Sequence, residues 1–141
     1  MKSEYEVLIR ESHLDTYGHV NNAVYLSLFE EARWQIVTDR GYGFDRVHET
    51  KKGPVILEVN LKFLKELILR EKITITLEVL SYKGKIFQLA QTMVKPNGEI
   101  ACQMNCVAAF FDLQERKLIP PNPEWLAAIG YEGTVLPSTK V

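Results

Sequence analysis

A chain of 141 residues is long enough for one domain with a sizeable core and short for two, so residues 1–141 are read as a single domain. Its 46% hydrophobic and 25% charged residues are those of an ordinary globular protein, and a net charge of −1 excludes a global basic field that would recruit nucleic acid or an anionic membrane. Met1 to Glu6 lacks the apolar stretch of a secretory signal, and no apolar run approaches the ~20 residues of a spanning helix, which leads us to expect a cytoplasmic protein without a membrane partner.

In chain order, Tyr5 to Arg10 reads as a first strand and Glu11 to Asn21 as a polar loop. A helix is predicted from about Asn22 to Arg40, ending at Gly41-Tyr42-Gly43. At 100° per residue Tyr25, Leu28, Phe29, Ala32 and Ile36 fall on one stripe, while Leu26, Trp34 and Val37 form a second apolar patch beside Glu30. Two apolar sides predict a helix covered by more than one partner, hence a central one.

The remainder reads as sheet. Val55, Leu57, Val59, Leu61 and Phe63 alternate with polar residues, as do Ile73, Ile75, Leu77 and Val79. A turn at Lys83-Gly84 leads into Ile86 to Val94, and Pro96-Asn97-Gly98-Glu99 is a strong hairpin turn before Ile100 to Asp112. Cys102 and Cys106 on that last strand would stand ~13 Å apart at ~3.3 Å per residue, beyond disulfide reach, and read as small buried apolar residues. Pro123 to Ile129 makes a short terminal helix capped by Asn122. One long helix and five long strands give an α+β architecture, a mostly antiparallel curved sheet wrapped around one central helix.

Chemistry concentrates in Asp15-Thr16-Tyr17-Gly18-His19-Val20-Asn21-Asn22, a carboxylate, a glycine turn, a histidine and paired asparagines directly before the helix. Free backbone N–H groups and the dipole at a helix N-terminus stabilise a developing oxyanion, and a base or nucleophile beside such a hole is what acyl transfer needs. The run Asp-x-x-Gly-His-Val-Asn-Asn-x-x-Tyr, followed by Phe29-Glu30-x-Ala32-Arg33, resembles the signature of the hotdog-fold acyl-CoA thioesterases of the 4-hydroxybenzoyl-CoA thioesterase type. The resemblance covers roughly Tyr5 to Pro120. It implies a hotdog fold, hydrolysis of an acyl-CoA, no cofactor and no metal, and a homodimer whose sheets join edge to edge with the active site at the interface. Homotetramers are common among such proteins, and the Leu26, Trp34 and Val37 patch offers a face for one.

The resemblance gives Asp15 the role of base or nucleophile, between which sequence does not choose; by itself an aspartate in such a loop also caps turns. Asn22 is the expected oxyanion-hole contributor through its backbone N–H, a donor whose loss typically costs ~3 kcal/mol of transition-state stabilisation, and the Asn21 and Asn22 side chains also suit helix capping. His19 is a candidate base, a candidate orienter of Asp15, or a packing residue of the loop. Glu30 is the second candidate acid, with Arg33 three residues on as an ion-pair partner and a buried place near the dimer contact. Lys62, Lys83 and Lys85 (with Lys65) are candidates for the phosphates of coenzyme A, and equally ordinary surface lysines. Phe87, Leu89, Met93, Met104 and Phe110 are apolar pocket candidates that sequence does not separate.

Other readings of the same chain are an acyl-carrier-protein thioesterase, a hydratase of acyl thioesters, and a non-catalytic acyl-CoA binding module. The hydratase would need a second acid–histidine motif, and His48 is the only further histidine beyond His13 and His19. The binding module would be expected to lack the acid.

Overall fold

Burial of the long helix's apolar stripe organises the molecule. The structure is a computed structural model and describes residues 1–138. Helix α1 (Asn22–Asp39) buries Tyr25, Leu28, Phe29, Ala32, Ile36 and Val37. Its cap is Asn21, whose side chain accepts from the Ala23 amide at 2.9 Å, an arrangement typically contributing about 1 kcal/mol. At the other end the Arg40 N–H returns to the carbonyls of Val37 and Thr38, and Gly41 leaves at φ +90°, where a side chain would be strained.

Strands β1 (Ser3–Leu8), β2 (Lys52–Phe63), β3 (Lys72–Lys83), β4 (Ile86–Val94) and β5 (Ile100–Asp112) pair antiparallel in the spatial order β1-β3-β4-β5-β2. Alternate residues of β3 and β4 face the helix: Ile73, Ile75, Leu77 and Val79, then Phe87, Leu89, Gln91 and Met93, all buried. The sheet thus encloses α1 as the amphipathic pattern requires.

Short elements complete the fold: α2 (Phe44–Thr50), β6 (Lys117–Ile119) beside β5, α3 (Pro123–Ala128), and β7 (Val135–Leu136) parallel to β3. Asn122 caps α3 by accepting from the Trp125 amide at 2.8 Å, as the sequence predicts. By contrast α2, β6 and β7 have too few residues to carry a periodic signal. The first strand begins at Ser3 rather than Tyr5, and Glu11–His13 forms a single 3₁₀ turn.

Two sequence expectations need correction. The alternation from Val55 to Phe63 is not one continuous face, because a β-bulge at Leu57 shifts the register between Ile56 and Glu58. Ile56 pairs with buried Ala108, whereas beyond the bulge Val59 pairs with buried Cys106 and Phe63 with buried Cys102. Directly paired residues point to the same side, so Pro54 and Ile56 face the helix before the bulge and Val59, Leu61 and Phe63 after it. The apolar patch on α1 is also smaller than its spacing suggests. Val37 is buried, which leaves Leu26 and Trp34 exposed.

An aromatic cluster closes the end of the core near α3. Trp125 stacks on Phe110 with centroids 5.2 Å apart and meets Tyr42 edge-on at 5.2 Å, with Phe87 at 6.1 Å. Within it, Tyr42 Oη donates to the Lys52 carbonyl at 3.1 Å. The Tyr82 hydroxyl and the Trp125 indole nitrogen are buried without a partner in bonding geometry among the described residues. Burial raises the Tyr82 pKa, and the neighbouring Trp125 opposes that only in part. An unpaired buried hydroxyl carries a desolvation cost that a bonded one does not. Tyr82→Phe is therefore expected to hold or raise the melting temperature, and Tyr42→Phe to lower stability by about 1 kcal/mol in urea unfolding.

Candidate active site

The loop between the 3₁₀ turn and α1 is built around Asp15. Its Oδ1 accepts from the Tyr17 amide at 2.8 Å and the His19 amide at 3.2 Å. Its own amide donates to the His19 carbonyl at 2.7 Å, and its carbonyl accepts from Gly18 N–H at 3.1 Å. Gly18 sits at φ +79°, the left-handed conformation that lets the chain reverse inside four residues. The turn is tied outward by the Asn21 amide on the His13 carbonyl at 3.2 Å and by the Leu14–Val20 bridge. Asp15 is half-buried, and its Oδ2 makes no hydrogen bond among the described residues. Turn capping thus uses one oxygen of the carboxylate and leaves the other unbonded among the described residues.

Asn22 is the first residue of α1, and its backbone N–H has no hydrogen-bond partner among the described residues. The next amide, of Ala23, is taken by the Asn21 side chain, and that of Val24 by the Asn21 carbonyl at 2.9 Å. A free donor thus stands at the positive end of an 18-residue helix, in the same tight segment as the free oxygen of Asp15. The Asn21 side chain does the capping, and the Asn22 main-chain N–H is left free among the described residues.

His19 does not orient Asp15 with its ring. Its Nε2 lies 3.4 Å from Glu66 Oε2, in an exposed pair joining the loop to the segment after β2. Glu66 carries no periodic or motif signal, and only the tertiary fold brings it to His19.

Glu30 and Arg33 separate. The expected pairing of Glu30 with Arg33 is not met, because Glu30, exposed in the single protomer, makes no ion pair within 4.0 Å among the described residues. The Arg33 guanidinium instead turns inward, donates to Gln91 Oε1 at 2.9 Å and lies 3.8 Å from Met104 Sδ. Desolvation lowers the Arg33 pKa, and the Glu30 charge only partly offsets this. Gln91, fully buried, also donates to the Phe29 carbonyl at 3.2 Å, so it bridges helix and sheet. Its signal was present in the sequence as the one polar residue in the inward phase Phe87, Leu89, Gln91, Met93.

Beside Arg33 lies a cavity of about 150 Å³ between α1 and the sheet. Its mouth is framed by the exposed Glu30, Trp34 and Ile56, and its floor by Phe87, Ala108 and Trp125. Of the apolar pocket candidates Phe87 and Leu89 line this cavity, whereas Met93, Met104 and Phe110 belong to the packed core.

The lysines are dispersed. Lys62 is exposed near the Phe63 end of β2, while Lys83 and Lys85 flank the hairpin at the opposite end of the sheet. Through their strand partners Thr92 and Ile86 of β4 the two groups stand six residues apart, about 20 Å at 3.3 Å per residue. Within one protomer they do not form one phosphate site. Cys102 and Cys106 are buried and unbridged on β5, as expected, and burial pushes the Cys102 thiol up to about 11. Among the described residues no group of three or more His, Cys, Asp or Glu side chains is placed to hold a metal ion, and no helix is long and apolar enough to cross a membrane.

Residues 9–129 match the family described as the thioesterase-like superfamily. The chain belongs to that family. It is 29% identical over 115 residues to the long-chain acyl-CoA thioesterase FadM of Escherichia coli strain K12, covering 81% of this chain and 86% of that protein. Among solved structures it is similar to YbaW, a probable thioesterase from Escherichia coli, with a TM-score of 0.78, 26% identity, and coverage of 91% and 96% of the two chains. The protein SAV2348 from Staphylococcus aureus, solved in complex with CoA, superposes with a TM-score of 0.85 over all of this chain and 89% of its own, at 18% identity that speaks for the fold alone. The thioesterase expectation and the hotdog architecture thus hold for this chain.

Proposed function

We propose that the protein hydrolyses acyl-coenzyme A thioesters to a carboxylic acid and free coenzyme A, with Asp15 as its acid–base or nucleophilic group and no cofactor beyond the substrate's own coenzyme A. The observation that carries this reading is the placement of a free carboxylate oxygen on Asp15 and a free Asn22 N–H within one braced turn at the start of α1.

In the base route, Asp15 takes a proton from water as the oxygen attacks the thioester carbonyl. The oxyanion forms against the Asn22 amide, the C–S bond breaks, and the thiolate recovers the proton from Asp15. In the nucleophile route, Oδ2 attacks the carbonyl and coenzyme A leaves as the thiolate; water then cleaves the resulting anhydride to the carboxylic acid and a protonated Asp15, which passes its proton to the thiolate.

The reading includes a homodimer. β2 is an edge strand, and Ile56, Leu57, Val59 and Phe63 are exposed on it, a surface that pairs with another strand unless protected. Tyr25 packs edge-on against Phe63 at 5.1 Å, so the N-terminus of α1 lies at the Phe63 end of β2. The cavity mouth lies at the Pro54–Ile56 end. Antiparallel pairing of two β2 strands about a two-fold axis therefore brings the Asp15 loop of one copy to the cavity of the other. It also carries Lys83 and Lys85 of the second copy toward the Asp15 loop of the first, where they and Lys62 are candidates for the coenzyme A phosphates. The two buried, unbridged cysteines suit a reducing, cytoplasmic setting.

The test is thiol release from an acyl-CoA panel, acetyl to palmitoyl with benzoyl and phenylacetyl, combined with light scattering of wild type and Val59→Lys. The expected result is hydrolysis by a dimer, with Val59→Lys shifting the protein to monomer and reducing turnover more than about 10-fold. Hydrolysis by a wild-type monomer would overturn the shared site. Turnover only of acyl-carrier-protein thioesters would move the leaving group, and no turnover of either would leave a binding module.

A further inference from the structure

The cavity floor sets an upper bound on the acyl group. We propose that the enzyme is selective for compact apolar acyl groups, aryl or of about six carbons, and excludes long chains. This inference rests on the thioesterase reading and on the cavity's being the acyl site.

Three observations carry it. First, the space is about 150 Å³, the size of an apolar protein cavity that holds one benzene ring. Secondly, the walls are mainly apolar: Val37, Leu77, Val79 and Leu89 surround the space, and the polar side chains Glu30 and Arg33 both come from α1. Such a wall favours a hydrocarbon group and offers little to a polyhydroxylated or charged one.

Thirdly, the floor is braced. Phe87 and Trp125, each 2% exposed, close the far end, and Trp125 is held between Phe110 and Tyr42 at 5.2 Å each. Extending the cavity would require displacing a close-packed aromatic cluster, and overpacking of that kind typically costs about 1–3 kcal/mol. Neither Gly nor a flexible side chain stands at the floor to yield; the smallest residue there is Ala108, fully buried on β5. The exclusion of long chains departs from the substrate in the name of the Escherichia coli relative.

The inference is tested by kcat/KM across acetyl-, hexanoyl-, phenylacetyl-, decanoyl- and palmitoyl-CoA, below the micelle concentration of the longest. Wild type is run beside Ala108→Leu, which fills the space, and Leu89→Ala, which enlarges it. Hexanoyl or phenylacetyl should exceed palmitoyl by about 10-fold or more. Ala108→Leu should move the optimum to acetyl, and Leu89→Ala should move it to longer chains.

Palmitoyl equal to or better than hexanoyl, or the same profile in folded Ala108→Leu, would overturn the inference while leaving the thioesterase reading intact. If no thioester is hydrolysed, that reading fails, and calorimetric binding of phenylacetyl-CoA and palmitoyl-CoA to the intact protein still decides the cavity. Tighter phenylacetyl-CoA supports the size limit, and tighter palmitoyl-CoA overturns it.

Discussion

Asp15→Asn is expected to reduce kcat by about 10²–10⁴-fold with the protein still folded, the range that a positioned acid–base group supplies. The substitution is chosen for what it leaves in place. Asparagine keeps Oδ1, so the bonds from the Tyr17 and His19 amides survive and the turn retains its shape. It replaces the free Oδ2 by an amide nitrogen, which neither accepts a proton nor attacks a carbonyl. Asp15→Ala removes both functions and would mix loop disorder with lost chemistry, so it is the weaker experiment. Thiol release gives the rate, and the melting temperature monitors the fold. Glu30→Gln is the comparison: Glu30 lies at the cavity mouth on α1, two turns from the free Asn22 amide, and its loss should be mild. An equal loss in Glu30→Gln would transfer the acid from the loop to the helix.

The largest stability effect should come from Trp125→Ala. Trp125 is 2% exposed and joins α3 to the sheet through Phe110 and Phe87 and to the α1–α2 connection through Tyr42. Truncating a buried tryptophan typically costs about 3–5 kcal/mol, a large share of the stability of a single domain. At this chain length that corresponds to a fall in melting temperature of roughly 10 °C or more. Urea unfolding measures the difference directly. A loss below about 1 kcal/mol would mean that the floor collapses easily, which would also remove the rigidity on which the acyl size limit rests.

The position of the candidate site was legible in the chain because its parts are local. Asp15, Gly18, His19, Asn21 and Asn22 fall within eight residues, and their hydrogen bonds close inside the same loop and first helical turn. The long helix and the five main strands were legible for a related reason, since burial of one face imposes a period that a sequence of sufficient length must display. The same logic flagged Cys102 and Cys106 as buried and unbridged. A two-residue strand such as β7, or a helix of seven residues such as α2, has no room for a period, and both are held mainly by what they pack against.

Long-range geometry decided the rest. Sequence placed Glu30 beside Arg33, but the guanidinium turns inward because Gln91, 58 residues later, offers an acceptor in the core. Sequence also left His19 open among three roles, and the fold directs its ring to Glu66. The bulge at Leu57 reversed the faces of half of β2, a one-residue shift that no alternation pattern reveals because both phases there are apolar. The size of the cavity was likewise a tertiary outcome. It depends on how far α3 brings Trp125 toward β4 and β5, and packing between elements distant in sequence sets that distance. The sequence by itself therefore determined the architecture and where chemistry concentrates, because periodicity and a tight loop are local properties. Only the tertiary structure decided which charges meet, which strand faces line the cavity and how large the cavity is, because those follow from contacts between residues far apart in the chain.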